Sequence, residues 1–445
     1  MRSIEKNNIL GGRKMKKMNE TKDFFVVGLA LFAMFFGAGN LIFPPALGLA
    51  SGNSWVACLI GFIITGVGMP LLGVLAVSKA GGTINDLAGK VNPTFSKILG
   101  TIIVLAIGPL LAIPRTGATV YELGVKPIMP NVSPILVSII YFGITLFFVI
   151  KPSGIIDKIG KILTPILLII IFSIIIKGIA SPIGTPIETG LRNSFSVGFT
   201  EGYQTMDALT SIVFGGIILI SLAEKGYERK EDQIRLTMKA GLVAGAGLAF
   251  VYGGLLFLGA TGSGIFSADI VRTDLVVGIT ERILGNFGKV GISLAASVAC
   301  LTTAIGLVAT VGTYFEELTK GKLSYRIIVI STVIISAIFA NAGVENIVKF
   351  AVPLLATVYP VAIVLILVSI FDDFIKSEKA YLGAVCGTLL VSVVDGISAI
   401  GVNTGFIGDF IKILPLASAG FAWVLPAVLG IFITTFLYKK EENLV

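Results

Sequence analysis

From Phe24 onward, long apolar runs alternate with short polar connections. A helix that crosses a bilayer needs about 20 mostly apolar residues. Twelve runs reach that length, at 24–49, 53–78, 95–121, 132–150, 155–180, 194–224, 234–260, 288–317, 323–341, 346–371, 380–402 and 412–437. Composition points the same way. The 445 residues are 55% hydrophobic and 13% charged, with mean hydropathy +0.96. A soluble domain carries roughly 25% charged residues. The pattern predicts an all-α polytopic membrane protein whose solvent is lipid.

Two runs are interrupted near the middle. Span 1 contains "FFGAGNLIFPP" (35–45), and span 6 contains "TEGYQTMDAL" (200–209). The first half of span 1, Phe24 to Phe36, covers only ~20 Å at 1.5 Å per residue, too little to cross ~30 Å of hydrocarbon. Unpaired backbone groups at that depth are costly unless they line a cavity or meet a ligand. Each break opens a group of five spans, and paired interruptions of this kind point to a transporter site. Five is odd, so the second group enters the membrane from the opposite side and the repeat is inverted. The expected organisation is a cytosolic tail (1–22), a first five-helix repeat (23–180), a second inverted repeat (181–371), and spans 11 and 12 with the C-terminus (372–445).

Gly37 and Gly39 are expected to let span 1 unwind. The Ala38 and Gly39 N–H groups, at the start of the resuming helix, would face an anion. The Ala33 and Phe36 carbonyls, freed at the end of the first half, would face a cation. Pro44 and Pro45 suit the first turn of a resuming helix. In span 8, Thr302 and Thr303 are adjacent hydroxyls. They either bond back to their own helix or, with the carbonyl of Ala299, supply oxygens to a hard cation. Five neutral oxygens suit a monovalent ion, since a divalent ion normally brings carboxylates.

Charge settles orientation and removes other function classes. With the N-terminus in the cytosol, most of the 34 Lys and Arg fall on cytosolic segments, as the positive-inside bias requires. Both termini are therefore expected inside, and the net charge of +8 needs no nucleic-acid partner. Residues 1–22 lack a cleavage-type motif and read as a tail, not a secretory signal. There is no histidine, so no imidazole relays protons or binds a metal. Cys58, Cys300 and Cys386 stand alone in apolar runs, in neither a disulfide nor a zinc spacing. No G-x-x-x-x-G-K-[ST] motif or acidic cluster supports an ATP-driven pump or a membrane-embedded enzyme. A channel would normally be a symmetric assembly rather than an inverted repeat.

Other polar residues leave choices open. Asp207 could neutralise an ammonium, carry a coupling proton, or cap the second half of span 6. Tyr203 could be a lid or packing. Arg115 is expected to snorkel to the outer interface or to form an outer gate with Glu122 or Glu201. Asp395 is intramembrane and has no assigned role. Asp372 and Asp373 read as a solvated helix end, and Gly241-x-x-x-Gly245 as close helix packing.

"FFGAGNLIFPP", "GPLLAIPRT" (108–116), "EGYQTMDAL" (201–209) and the Thr302–Thr303 pair resemble the bacterial branched-chain amino acid:cation symporters, over roughly residues 22–437. The resemblance implies twelve spans with the five-plus-five inverted repeat of the sodium-symporter fold. It implies uptake of leucine, isoleucine and valine across the bacterial inner membrane, driven by Na⁺ or in some members by H⁺. It implies no enzyme activity, no cofactor beyond the coupling ion, and no obligate protein partner. Carried over by motif, Na⁺ falls on Ala33, Phe36, Ala299, Thr302 and Thr303. The substrate carboxylate falls on the Ala38 and Gly39 amides. The ammonium falls near Phe35 and on the segment Tyr203, Gln204, Thr205, Met206, followed by Asp207. Asn40 matches a position that helps hold a second ion in some relatives of the fold. The residues themselves give no separate sign of a second ion.

Overall fold

The computed structural model describes residues 20–150, 155–375, 377 and 379–442, with the side chains of 155–164 and 437–442 outside that description. Every regular element among the described residues is a helix. Span 1 is Glu20–Phe35 (1a) and Ala38–Ser51 (1b). Span 2 runs from Trp55–Ile63 through a π turn into Met69–Ala80. Span 3 runs from Pro93–Leu105 to Val120–Val125. Spans 4 and 5 are Pro134–Val149 and Ile155–Ala180. Span 6 is Ser194–Glu201 (6a) and Asp207–Glu224 (6b), and span 7 is Lys230–Thr261. Span 8 is the longer part of Arg272–Leu318. Spans 9 to 12 are Tyr325–Ala340, Val344–Ile370, Lys379–Ala399 and Val424–Glu442. Seven helical runs are long and apolar enough to cross a membrane, and four shorter apolar helices supply spans 4, 5, 9 and 12. The expected tail lies outside the described residues up to position 19; Glu20 to Lys22 already belong to helix 1a.

The helix contacts carry the repeat. Span 1 packs on span 7 as span 6 packs on span 2, and span 3 packs on span 9 as span 8 packs on span 4. Adding five to the number of a span in the first group, and subtracting five in the second, exchanges these pairs. Outward faces keep large apolar side chains such as Phe147, Leu242, Phe350 and Leu390 exposed, an arrangement that lipid makes favourable and water does not.

Without a hydrophobic drive between helices in lipid, close backbone approach does much of the packing. Helices 1b and 7 touch through two glycines. A Cβ on Gly259 would lie 2.0 Å from Pro45 O, and one on Gly48 1.9 Å from Leu256 O. The glycine pair singled out in the sequence behaves differently. A Cβ on Gly245 would press on Leu71 of span 2 at 2.6 Å, while one on Gly241 would have room, 3.8 Å from the same side chain.

Polar ends fasten the bundle. Asn92 caps span 3 by accepting from Thr94 N–H at 2.7 Å, with Pro93 in the first turn. Asp372 and Asp373 each carry a lysine rather than water alone. Lys90 reaches Asp372 at 2.7 Å and Lys79 reaches Asp373 at 2.9 Å, tying spans 2 and 3 to the end of span 10. The hydrogen bond from Lys79 holds the Asp373 carboxyl below its usual range.

Three boundaries depart from expectation. The run at 412–437 splits into a short helix, Gly405–Ile413, and span 12 from Val424. Leu414 precedes Pro415 and is extended (φ −61°, ψ 146°), because a residue before proline is driven out of the helical region. Span 8 is preceded by a helical segment from Arg272 that bends at Gly285 (φ +60°). Span 3 is also interrupted, with Gly108 non-helical (φ −91°, ψ −128°) just before Pro109.

Gly259→Val is expected to force helices 1b and 7 apart and lower the melting temperature in detergent, at the upper end of the ~1–3 kcal/mol typical of overpacking. Gly241→Ala should leave the melting temperature unchanged or slightly raised.

Candidate functional site

The break in span 1 is two residues long. The last backbone bond of helix 1a runs from Phe36 N–H to Phe32 O. Gly37 N–H would next close on Ala33 O. It donates instead to Asn40 Oδ1 at 2.9 Å, leaving Ala33 O without its helical donor. Gly37 is extended (φ −128°), a conformation open to any residue, and Gly39 lies inside helix 1b. The expectation that these glycines serve to unwind the chain is corrected: they make room. A Cβ on Gly37 would lie 3.0 Å from Thr303 Oγ1, and one on Gly39 2.9 Å from Arg115 Nη2.

Span 6 breaks differently. Helix 6a passes into a 3-10 turn, Gly202–Thr205, and then into Met206 in the left-handed region (φ +62°). A long side chain there is strained, which is the kind of cost found at functional sites. Met206 is the N-cap residue of helix 6b and its own side chain makes no cap bond; the Asp207 and Ala208 N–H groups donate instead to Thr205 Oγ1 and Tyr359 Oη, each at 3.3 Å. Asp207 follows it and does not act as the cap. Its Oδ2 accepts from Asn40 Nδ2 at 2.8 Å and from the Tyr252 hydroxyl of span 7 at 3.2 Å, and Asn40 Nδ2 also donates to Tyr252 Oη. Both broken helices and span 7 thus share one buried network.

The breaks face each other across a single cavity. Phe35, Ala38, Gly39, Asn40, Thr205, Met206, Asp207 and Thr303 line it. Met34, Ala112 and Leu307 add apolar wall that sequence reasoning did not name. Tyr203 and Gln204 stand outside the lining. The Tyr203 ring stacks on Tyr359 of span 10, with centroids 4.2 Å apart, so it packs rather than covers. Gln204 approaches through its carbonyl alone.

The candidate cation oxygens come together in part. Thr303 Oγ1 lies 3.4 Å from Phe36 O, joining span 8 to the break in span 1. Thr302 bonds back to Ala299 O at 3.0 Å and Val298 O at 3.2 Å. Of the five expected oxygens the structure brings Thr303 to Phe36 across the break, while Thr302 is engaged with its own helix at Ala299 and Val298.

Arg115 is where expectation fails most clearly. It neither snorkels nor gates. It is 3% exposed, lies in the cavity wall, and donates from Nη1 to Gln204 O at 2.7 Å. Neither proposed gate partner reaches it. Glu122 accepts from Thr273 Oγ1 at 2.7 Å and from Val344 N–H at 2.9 Å, and the charges acting on Glu201 are Arg272 and Glu345. The interruption of span 3 at Gly108–Pro109 separates Arg115 from the first half of that span, which was the available signal. Tyr252 was missed because one tyrosine in an apolar helix looks like packing. Asp395 is half-buried and has no hydrogen-bond or ion-pair partner among the described residues.

The sequence profile described as branched-chain amino acid transport protein matches residues 20–441. The chain belongs to that family. It is 40% identical to the branched-chain amino acid permease BraB of Bacillus subtilis (strain 168), over 96% of this chain and 99% of the relative. It is 38% identical to the branched-chain amino acid permease BrnQ of the same organism, over 94% and 97%. Among solved structures, Mhp1, a nucleobase-cation-symport-1 family transporter in a closed conformation with bromovinylhydantoin bound, matches with TM-score 0.61 and 11% identity, over 94% of this chain and 93% of that one. The fold is that of such transporters, and this family member is a transporter rather than an enzyme.

Tyr252→Phe removes the hydroxyl that bonds both Asn40 and Asp207. Leaving buried polar groups short of a partner costs about 1–3 kcal/mol, so a lower melting temperature in detergent is expected. Tyr203→Phe, whose hydroxyl has no partner among the described residues, should leave the melting temperature unchanged.

Proposed function

We propose that the protein imports leucine, isoleucine and valine by Na⁺-coupled symport across the bacterial inner membrane, with both termini in the cytosol. The observation that carries this reading is the cavity between the two breaks, flanked by the Thr303–Phe36 contact. The names of the family and of its close relatives support the substrate class. Met34, Phe35 and Leu307 offer an apolar wall to a branched aliphatic side chain, and the Ala38 and Gly39 amides offer donors to a carboxylate. Na⁺ would sit among the oxygens of Ala33, Phe36, Ala299, Thr302 and Thr303, the neutral set a monovalent ion favours. Thr302 would exchange its backbone bonds for the ion.

Ion and substrate would then order the same interrupted segment of span 1, so their binding is coupled, and the coupling is reciprocal. Alternating access follows if spans 1 and 6, with their packing partners 7 and 2, rock against the rest around the fixed midplane site. One observation favours a second reading. Asp207 is a buried carboxylate in the cavity wall, so H⁺ could be the coupling ion instead.

Purified protein in liposomes decides between them. Radiolabelled leucine uptake is expected with an inward Na⁺ gradient and not with an inward H⁺ gradient alone. Uptake with H⁺ alone would move the coupling to Asp207, and no uptake under either gradient would overturn the reading. Thr302→Ala combined with Thr303→Ala is expected to raise the Na⁺ concentration for half-maximal uptake at least tenfold, consistent with the loss of about 1.4 kcal/mol or more of ion binding. Unchanged Na⁺ dependence would remove span 8 from the ion site.

A further inference from the structure

Arg115 is a buried cation with no carboxylate in contact with it; Asp207, across the same cavity, acts on it only through space. No ion pair to it occurs among the described residues, and Nη1 to Gln204 O is its one hydrogen bond. A guanidinium presents five N–H donors. The Arg115 Nε is buried with no partner. Its Nη2 stands over Gly39, so close that a single methyl group there would collide with it. The guanidinium also lies over the Phe43 ring, 5.1 Å from its centroid. That contact fixes its plane without supplying an anion. A charge this deep needs a partner, and its free donors lie beside the first turn of helix 1b, where Ala38 and Gly39 line the cavity.

We propose that Arg115 is the carboxylate-binding residue of the substrate site, forming with the Ala38 and Gly39 amides a three-sided cradle for the α-carboxylate of an amino acid. This rests on the reading of the cavity as an amino acid site and deepens it. The fork geometry of arginine suits a planar carboxylate. Asp207 brings a carboxyl group to the same cavity, with Oδ2 held by Asn40 and Tyr252. The cavity therefore sets a guanidinium and a carboxyl group in one lining, a pair that matches the two ends of a zwitterion. A fixed cation also does the work a second metal ion would otherwise do at the carboxylate, and it would repel such an ion at contact distance. The site is built to need one coupling ion per substrate.

The test compares leucine with leucinamide, which keeps the ammonium and side chain but lacks the carboxylate. Binding of each to purified protein is measured by competition against radiolabelled leucine, or by direct titration where affinity is weak. The native protein is expected to prefer leucine. Arg115→Gln is expected to weaken leucine binding about 10- to 100-fold, the range of a lost hydrogen bond to a charged group, with leucinamide little changed, so the preference collapses. Arg115→Lys keeps the charge but not the fork, and should fall between the two. It also keeps the experiment informative if the glutamine variant does not fold. If leucine and leucinamide weaken by the same factor in the variant that folds, Arg115 only supports the structure and the proposal is overturned. If neither variant weakens leucine, the amides hold the carboxylate alone and it is likewise overturned. Failure of the native protein to bind leucine at all would overturn the amino acid site itself, and the inference with it. With leucine bound at saturation, Na⁺ activation of uptake is expected to follow a Hill coefficient near one, and a coefficient near two would reject the single-ion site.

Discussion

Backbone hydrogen bonding at bilayer depth is the constraint on which the rest of this structure depends. Lipid offers no donors or acceptors, so a helix interrupted in the hydrocarbon must have its freed groups met by protein or by cargo. Here the debt is met crosswise. Asn40 takes Gly37 N–H, Arg115 takes Gln204 O, and Thr303 approaches Phe36 O. Each of these side chains reaches a break from another turn or another helix. Without them neither break would be tolerable, and without the breaks there would be no polar midplane cavity.

The same side chains link elements that the proposed rocking motion would carry together. The Asn40–Asp207–Tyr252 network joins span 1 to spans 6 and 7, and glycine contacts hold helix 1b directly on span 7. Spans 1, 6 and 7 are thereby bound into one body through polar and steric contacts. Arg115 enters from span 3, outside that body, and bonds across to the break in span 6. In the proposed rocking motion it would stand where the bundle and its scaffold meet. A substrate bound at that junction would make contacts with both.

Much of the fold was legible in the sequence because the membrane imposes a simple rule. A span must be apolar over a fixed length, so twelve runs of hydrophobic residues became twelve spans, and the two most polar centres became the two breaks. Local stereochemistry explains most of the boundary errors. Leu414 before Pro415 cut the last run short, and Gly285 let an extra helical segment precede span 8.

What the sequence determined by itself is therefore what depends on local apolarity: the fold class, the number of spans, the breaks within 37–40 and 200–209, and the oxygen-bearing Thr302–Thr303 pair. What the tertiary structure decided is which side chains meet. Gly37 and Gly39 could be read as hinges until their neighbours, Thr303 and Arg115, proved to need the space. Arg115 could be read as an interfacial snorkel until the fold set it in the cavity wall. Asp207 could be read as a helix cap until Met206 took that position and left the carboxylate to Asn40 and Tyr252. Hydropathy measures the cost of leaving water for lipid, residue by residue. It carries no information about the partner that makes a buried charge affordable, because that partner lies many residues away and arrives only when the helices pack.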